Sequence, residues 1–519
     1  MKRYNLIFLT ILVFISIFGN AQKVVFPNKD FHFEINESNN KYAVRFKIDE
    51  VNFSELKSNN GNFTQLNIPG FFNHSQPGFP QLIQFNKFLE TPLNGNLEVK
   101  ITSKKYKLID LDSIGLPIIY PNQRSISKGE DASKVKFEIS SKIYKDNKFI
   151  NYDIVKLSKK SIFRKHQFSL LEICPFEYNP VSNQLIVYYD LEFEISFING
   201  DLSKERQLNK SYNQHEFLPL LKNCINNNSF QPKDLITTYP TTYVIVSDRK
   251  FQQQIQPLIE WKTKKGFNVI EAYTDEPLVG NTTSSIKAYL TNLYNNPVNS
   301  NPPSYILLVG DVAEIPSFSG LYGNHVSDMY YAEYDGNGDF YADVYYGRFS
   351  SSDTAQIQNM VNKSIDYEKY NFQDPSFLSE AVMISGVDAA MAPTYGNGQI
   401  NYANQYYTNL SNGINSHTYL YPASGSSSSQ ILQDINNGCS FANYTAHGYG
   451  QGWADPAFTC TDVHSMTNFG KPAMMIGNCC QSNKFDDPEC FGEALLRVDN
   501  KGAIGYIGGS NNTYWNEDY

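Results

Sequence analysis

Charge is scarce in this chain. Only 18% of its 519 residues are Asp, Glu, Lys or Arg, and they leave a formal net charge of −9. No Lys/Arg stripe interrupts that acidic balance, which excludes a nucleic-acid partner held by phosphate neutralisation. Cysteine is sparse as well. Seven are too few for a disulfide scaffold at this size, and an odd number leaves at least one thiol unpaired within the monomer. Beyond Phe18 no apolar run approaches the roughly 20 residues that a membrane-spanning helix requires. What the chain has in abundance is aromatics, 36 Tyr and 35 Phe within a 41% hydrophobic composition. That excludes a disordered, collagenous or coiled-coil protein. At about 150 residues per domain, the length points to about three domains and permits a sizeable core.

The first residues set the compartment. Lys2 and Arg3 precede an apolar run from Leu6 to Phe18, and Gly19-Asn20-Ala21 offers small residues at a signal-peptidase site before Gln22. Residues 1–21 therefore read as a secretory signal, which places the mature chain outside the cell or at its surface with no membrane span. No Cys follows the cleavage site, so a lipoprotein anchor is not indicated.

Two halves with different periodicity follow. Residues 22–201 read as an antiparallel β unit. Its clearest strand places Leu185, Val187, Tyr189, Leu191, Phe193, Ile195 and Phe197 on one face. Residues 202–236, rich in Lys, Asn and Gln, read as a linker in which Arg206 and Lys210 are accessible basic residues. From 237 to 519 short apolar runs alternate with helical stretches. Strands are predicted at Tyr243–Val246, Tyr305–Val309, Ala381–Ser385, Ser440–Thr445, Ala473–Gly477 and Ala503–Ile507, with helices at Phe251–Lys265 and after the N-cap Asp353. Such alternation implies an α/β domain with a mainly parallel sheet covered on both faces, and a ligand site at the carboxyl ends of its strands.

Two of those strands end in reactive side chains. One runs into His447-Gly448 and the other into Cys479-Cys480. An imidazole beside a thiol favours the nucleophilic thiolate and can then protonate a leaving amine. The amides of Gly448 and of the nucleophilic Cys could stabilise a tetrahedral oxyanion. Neighbours on a strand face opposite sides, so only one of the two thiols can meet the imidazole. A Cys ending a buried strand is also an ordinary core residue, and spacing alone leaves both readings open.

These residues resemble a known family. Asn443-Tyr444-Thr445-Ala446-His447-Gly448, Gly452-Trp453, Thr467-Asn468 and the stretch from Met475 through Cys480 to Phe485 are similar to the gingipain-type cysteine peptidases of family C25. The resemblance covers Thr237 to Tyr519 and implies a caspase-like α/β fold with a Cys-His dyad. In that family Phe stands five positions after the nucleophile, a register met by Cys480 and Phe485. The resemblance thus implies Cys480 as nucleophile and His447 as base and acid, with Asp388, at the end of an earlier strand, orienting the imidazole. Asn483 departs from the family's Gly three residues after the Cys. The acidic stretch Asp328, Asp335, Asn337, Asp339 and Asp343 has alternating oxygen donors that suit Ca²⁺, although Phe340 and Tyr346 exclude an EF-hand loop. Its likeness to a family segment implies structural Ca²⁺, while a plain Asp/Asn/Gly turn is the alternative.

Family members favour Arg or Lys before the scissile bond through a pocket carboxylate. Gln399 stands where the Arg-specific branch has its Asp, while Asp518 and Trp515 are further pocket candidates. Gly78-Phe79-Pro80 and Phe88-Leu89-Glu90-Thr91-Pro92 resemble the family's propeptide region, which implies that the N-terminal half covers the active site until the linker is cut near Arg206 or Lys210. The expectation is a secreted cysteine endopeptidase made as a zymogen, acting on protein or peptide substrates, inhibited by its own propeptide and needing no catalytic cofactor. A sortase-like transfer enzyme and a catalytically silent surface binding protein are the alternatives. Family members continue past the position of Tyr519, so the peptidase domain is expected to be incomplete at its C-terminal side.

Overall fold

The structure is a computed structural model that describes residues 22–518 apart from 29, 39, 74–75, 225–238, 299, 324 and 337. The expected signal at 1–21, most of the second half of the expected linker, and Asn337 lie outside the described residues.

The strands described in the N-terminal half pair antiparallel, in three sheets. The 15-residue strand Gln184–Ile198 is its spine, paired on one side with Asn96–Asp110 and on the other with Lys41–Lys47. Leu185, Val187, Leu191, Phe193 and Ile195 are buried in a core shared with Phe46, Leu171 and Ile173. The predicted alternation is interrupted at Tyr188 and Asp190, which are buried while Tyr189 is only partly so; the pairing register shifts there and again between Glu192 and Phe193. A bulge disrupts the ladder locally, and from Leu191 onward the alternation resumes on the face it had before.

The expected linker is partly structured. Asp201 caps the helix Leu202–Leu208 through the amide of Lys204. Within that helix Arg206 forms ion pairs with Glu37 and Glu90, and all three side chains are mostly buried. Arg206 is therefore not an accessible cutting site. Lys210, in the short 3-10 turn Lys210–Tyr212, is exposed.

The C-terminal half contains two parallel sheets where the sequence implied one. The first runs in the spatial order Asn268–Tyr273, Thr242–Ser247, Pro303–Val309, Tyr345–Phe349. Val244, Val246, Ile306 and Leu308 face the helix Thr283–Asn295 through Ile286 and Leu290. Ile245, Leu307 and Val309 face the helices Gln252–Lys264 and Thr354–Glu368. Each buried aliphatic side chain contributes about 1.5–3 kcal/mol relative to exposure. Asp353 caps the second of these helices at the amides of Ala355 and Gln356, as its position predicts.

The second sheet runs Asn415–Tyr419, Glu380–Ser385, Phe441–Thr445, Ala473–Asn478, Ala503–Gly508, again all parallel. In both sheets the first strand in sequence sends the chain to one side for its second strand and to the other for the rest. The direction of winding therefore reverses beside Glu380–Ser385, and such a switch point opens a crevice at the carboxyl ends. Ser385, Thr445 and Asn478 are paired in register as the last residues of three neighbouring strands. Whatever follows each of them arrives at the same edge.

Candidate active site

Asp388 follows Ser385 by three residues, and His447 and Cys480 follow Thr445 and Asn478 by two. The in-register ends therefore set the spacing of all three. His447 Nε2 lies 3.0 Å from Asp388 Oδ2. Asp388 Oδ1 accepts the amides of Ala390 (2.9 Å) and Met391 (2.8 Å), which fixes the carboxylate. Burial works to raise the Asp388 carboxyl, but the hydrogen bond with His447 and the two amides outweigh it and hold it below its ordinary value. The hydrogen bond that His447 donates to Asp388 in turn raises the imidazole, against burial. The loop carrying the ring is held by Tyr444, whose hydroxyl donates to the His447 carbonyl at 2.7 Å.

The two neighbouring thiols differ in environment. Cys479 is fully buried, packed directly beneath Gly448, and burial pushes its thiol up to about 12. A Cβ built on Gly448 would lie 2.6 Å from Cys479 Sγ and 2.8 Å from its Cβ, so glycine is required at this close approach. The sequence reading gave that residue's amide to the oxyanion; the sulfur beneath it is a packing reason for glycine. Cys480 is 3% exposed and lies within electrostatic reach of the Lys128 ammonium. Asn483 fits the loop by lying against Gly492, where any Cβ would meet its Oδ1 at 2.2 Å.

A segment of the N-terminal half occupies the cleft. Lys128 donates its backbone N–H to Thr513 O (2.8 Å), Trp515 N–H donates to Ile126 O (2.9 Å), and Ser127 and Tyr514 form an antiparallel bridge. The Lys128 side chain is completely buried. Its ammonium donates to Asn478 O (2.7 Å), Asp518 Oδ1 (2.9 Å) and Thr445 Oγ1 (2.9 Å), and lies 5.0 Å from the Trp515 ring. Asp518 is held in turn by the Thr445 hydroxyl (2.5 Å) and the Asn478 side-chain amide. Burial depresses the Lys128 ammonium despite its pairing with Asp518. The Lys128 carbonyl oxygen sits on His447 Nδ1.

Of the pocket candidates, Asp518 and Trp515 are thus at the bound lysine. Gln399 is not: it accepts from Asn443 Nδ2 at 3.4 Å, partway along its strand and away from the bound lysine. Thr445, Asn478 and Lys128 were missed by the sequence reading. The first two could have been found, since residues ending adjacent parallel strands line the same crevice.

The acidic stretch is used differently from expectation. Asp328 lies apart, in a two-pronged pair with Arg348 (both contacts 2.7 Å). Asp335, Asp339 and Asp343 receive the tip of the hairpin joining Val155–Phe163 to His166–Ile173. The amides of Ile162, Arg164 and Lys165 donate to Asp339, Asp343 and Asp335 at 2.6, 2.8 and 2.7 Å, and the Lys165 ammonium reaches Asp335 at 2.5 Å. Asp343 also accepts the amides of Tyr334 and Asp335, and burial followed by the Asp335 charge raises its carboxyl. The fully buried Arg164 donates to Pro303 O (2.7 Å), Asp343 O (3.0 Å) and Tyr212 O (3.1 Å). These carboxylate oxygens are thus turned towards N–H donors of the hairpin. Among the described residues no group of three or more His, Cys, Asp or Glu side chains is placed to hold a metal.

A thiol, an imidazole and a carboxylate at one edge of a parallel sheet, with a β unit threaded through the cleft, define a cysteine-peptidase fold with its propeptide seated. The chain belongs to peptidase family C25: the sequence profile described as "Peptidase family C25" matches residues 236–519, and that of "Propeptide_C25" matches residues 30–217. Lys-gingipain HG66 of Porphyromonas gingivalis is 34% identical over 487 residues, which cover 93% of this chain and 28% of that protein. Gingipain R1 of the same organism is 24% identical over 486 residues, 91% of this chain and 47% of its own length. A solved structure described as "Structure of Protease" superimposes with a TM-score of 0.51 at 37% identity, covering 56% of this chain and 64% of that one. The chain thus spans less than a third of the Lys-gingipain it matches and about half of that gingipain R1.

Proposed function

We propose that this chain is the latent form of an exported cysteine endopeptidase that cuts after lysine, with residues 1–21 as its export signal. The observation that carries this reading is the Lys128 ammonium buried on Asp518, Thr445 and Asn478 O. A flexible ammonium with three donors meets three acceptors there. A planar guanidinium would need a wider, two-pronged carboxylate. The name of the relative Lys-gingipain accords with this preference.

In the proposed reaction a substrate lysine replaces Lys128. His447 takes the Cys480 thiol proton, the thiolate attacks the lysine carbonyl carbon, and the amides of Gly448 and Cys480 hold the oxyanion. Collapse breaks the C–N bond as His447 returns the proton to the leaving amine, leaving a thioester. Water, deprotonated by His447, then attacks the thioester, releasing the acid product and restoring the thiol. Asp388 holds the imidazole in one orientation throughout.

In the latent form the propeptide fills the same subsites. The deciding experiment compares cleavage of lysyl and arginyl peptides by the processed protein under reducing conditions, with Cys480→Ala as control. Hydrolysis confined to lysyl bonds and lost in the control is expected. Equal activity in the control would remove Cys480 as nucleophile, cleavage of arginyl bonds alone would remove the lysine reading, and transfer to an added amine in preference to water would make the enzyme a transferase. Inactivity towards both peptides would leave a binding protein.

A further inference from the structure

Lys128 occupies the cleft much as a substrate lysine would, with its carbonyl oxygen at the His447 imidazole. The geometry points to Arg124 and Glu130 as positioning residues that keep the Lys128–Gly129 bond from being cut, making the propeptide loop an inhibitor and not a substrate. This rests on the reading of the site as a lysine-directed cysteine peptidase.

The two side chains close a short loop around Lys128. Arg124 Nη1 and Nη2 donate to Glu130 Oε1 (2.8 Å) and Oε2 (3.0 Å), a two-pronged pair. Glu130 Oε1 also accepts the Ser127 amide at 3.0 Å, and the Glu130 amide donates to Ser127 O at 3.1 Å. Ser127 to Glu130 is therefore a tight turn, with the Lys128–Gly129 peptide at its centre. A cleavable substrate would continue extended past the imidazole; this chain reverses.

The turn misdirects both atoms that matter. Hydrolysis requires the carbonyl oxygen to face the oxyanion amides and the leaving nitrogen to face the imidazole. Here the Lys128 carbonyl oxygen sits on His447 Nδ1, and the Gly129 N–H is spent on Ser127 Oγ at 3.1 Å. Gly129 also lies against Asn512, where a Cβ would meet Nδ2 at 3.1 Å, so the turn has little room to relax. Both members of the pair are partly exposed, so its strength as a surface ion pair is modest. Its effect comes from the several hydrogen bonds to Glu130 that tie the turn together at once.

The test uses the full-length protein with Arg124→Ala and, separately, Glu130→Gln. Loss of the pair, which unties the Ser127 amide and the Arg124 fork from Glu130 together, is expected to speed cleavage at Lys128–Gly129 by about tenfold. The readout is mass spectrometry of a product beginning at Gly129, which adding Cys480→Ala should abolish. Arg124→Lys, which keeps a charged donor to Glu130 and leaves the Ser127 amide bonded to Glu130 Oε1, should retain resistance, which separates the pair from general loosening of the fold. An uncut Lys128–Gly129 bond in both single variants, while the processed unaltered enzyme hydrolyses lysyl peptides, would overturn the inference and leave the site reading standing. So would variants that lose latency with the bond intact. Failure of the processed unaltered enzyme on lysyl peptides would remove the site reading and the inference with it.

Discussion

Asp388 and His447 shift each other in opposite directions, and the signs fix where their pairing matters. The His447 imidazole is raised above its ordinary 6.5, so its share of stability is complete below that pH and is lost as pH rises through the raised value. The Asp388 carboxyl is lowered below its ordinary 3.8, so its share is complete above that pH and is lost as pH falls through the lowered value. Both are present between 3.8 and 6.5. In a Cys480→Ala background, Asp388→Asn is expected to lower the melting temperature most in that window and least above the raised imidazole value; a uniform loss across pH would show that the pair is not what stabilises. In the active enzyme the same substitution should reduce kcat by about 10²–10⁴-fold, read with a lysyl peptide, as the imidazole loses its orienting partner. At this scale the sequence placed Asp388 and His447 at strand ends, and the structure brings their side chains to 3.0 Å of each other. It gave no sign of Lys128, since nothing local distinguishes a lysine that will lie in a pocket formed some 390 residues further along.

The six strands predicted in the C-terminal half are all present, within two residues at each end. Their dense apolar runs are what a strand buried on both faces requires. Asn268–Tyr273, Tyr345–Phe349 and Asn415–Tyr419 were missed. These are edge strands, half-buried and rich in Tyr and polar residues, so they lack that run. Their absence also hid the division into two sheets, because pairing is a property of distant segments and not of either strand alone. The partners of the acidic stretch were hidden for a related reason: its oxygens meet donors from a hairpin some 170 residues earlier. That hairpin is a mechanical anchor, and Arg164→Met is expected to weaken it by at least about 2 kcal/mol, by removing charge-assisted bonds to three buried carbonyls. A lower melting temperature and earlier appearance of activity on warming would both register the loss. An unchanged melting curve would show that the buried guanidinium holds nothing.

For the molecule as a whole, the propeptide grips at two separated places, the Lys128 loop and the Arg164 hairpin. Two contacts on one rigid unit bind more tightly than either alone, because closing the first presents the second at high effective concentration. Cutting the connecting segment is therefore not expected to release the propeptide by itself. The same arrangement governs metal dependence. With Asp335, Asp339 and Asp343 engaged by the hairpin, a calcium chelator is expected to leave the melting temperature of the latent protein unchanged. A fall on chelation would place a bound cation in the latent form and count against the hairpin as the partner of these carboxylates.

The sulfur wedged beneath Gly448 bears on how such an enzyme can be counted. Cys174, Cys439, Cys460, Cys479 and Cys490 are buried, with thiols pushed up by burial, and so resist alkylation. Once Lys128 leaves the cleft, a lysyl chloromethyl ketone has Cys480 in front of it and Cys479 sealed behind the glycine. One adduct at Cys480 is expected by peptide mapping, so the Cys480 adduct formed would give the concentration of working sites, and an adduct at Cys479 would mean that the wedge had opened.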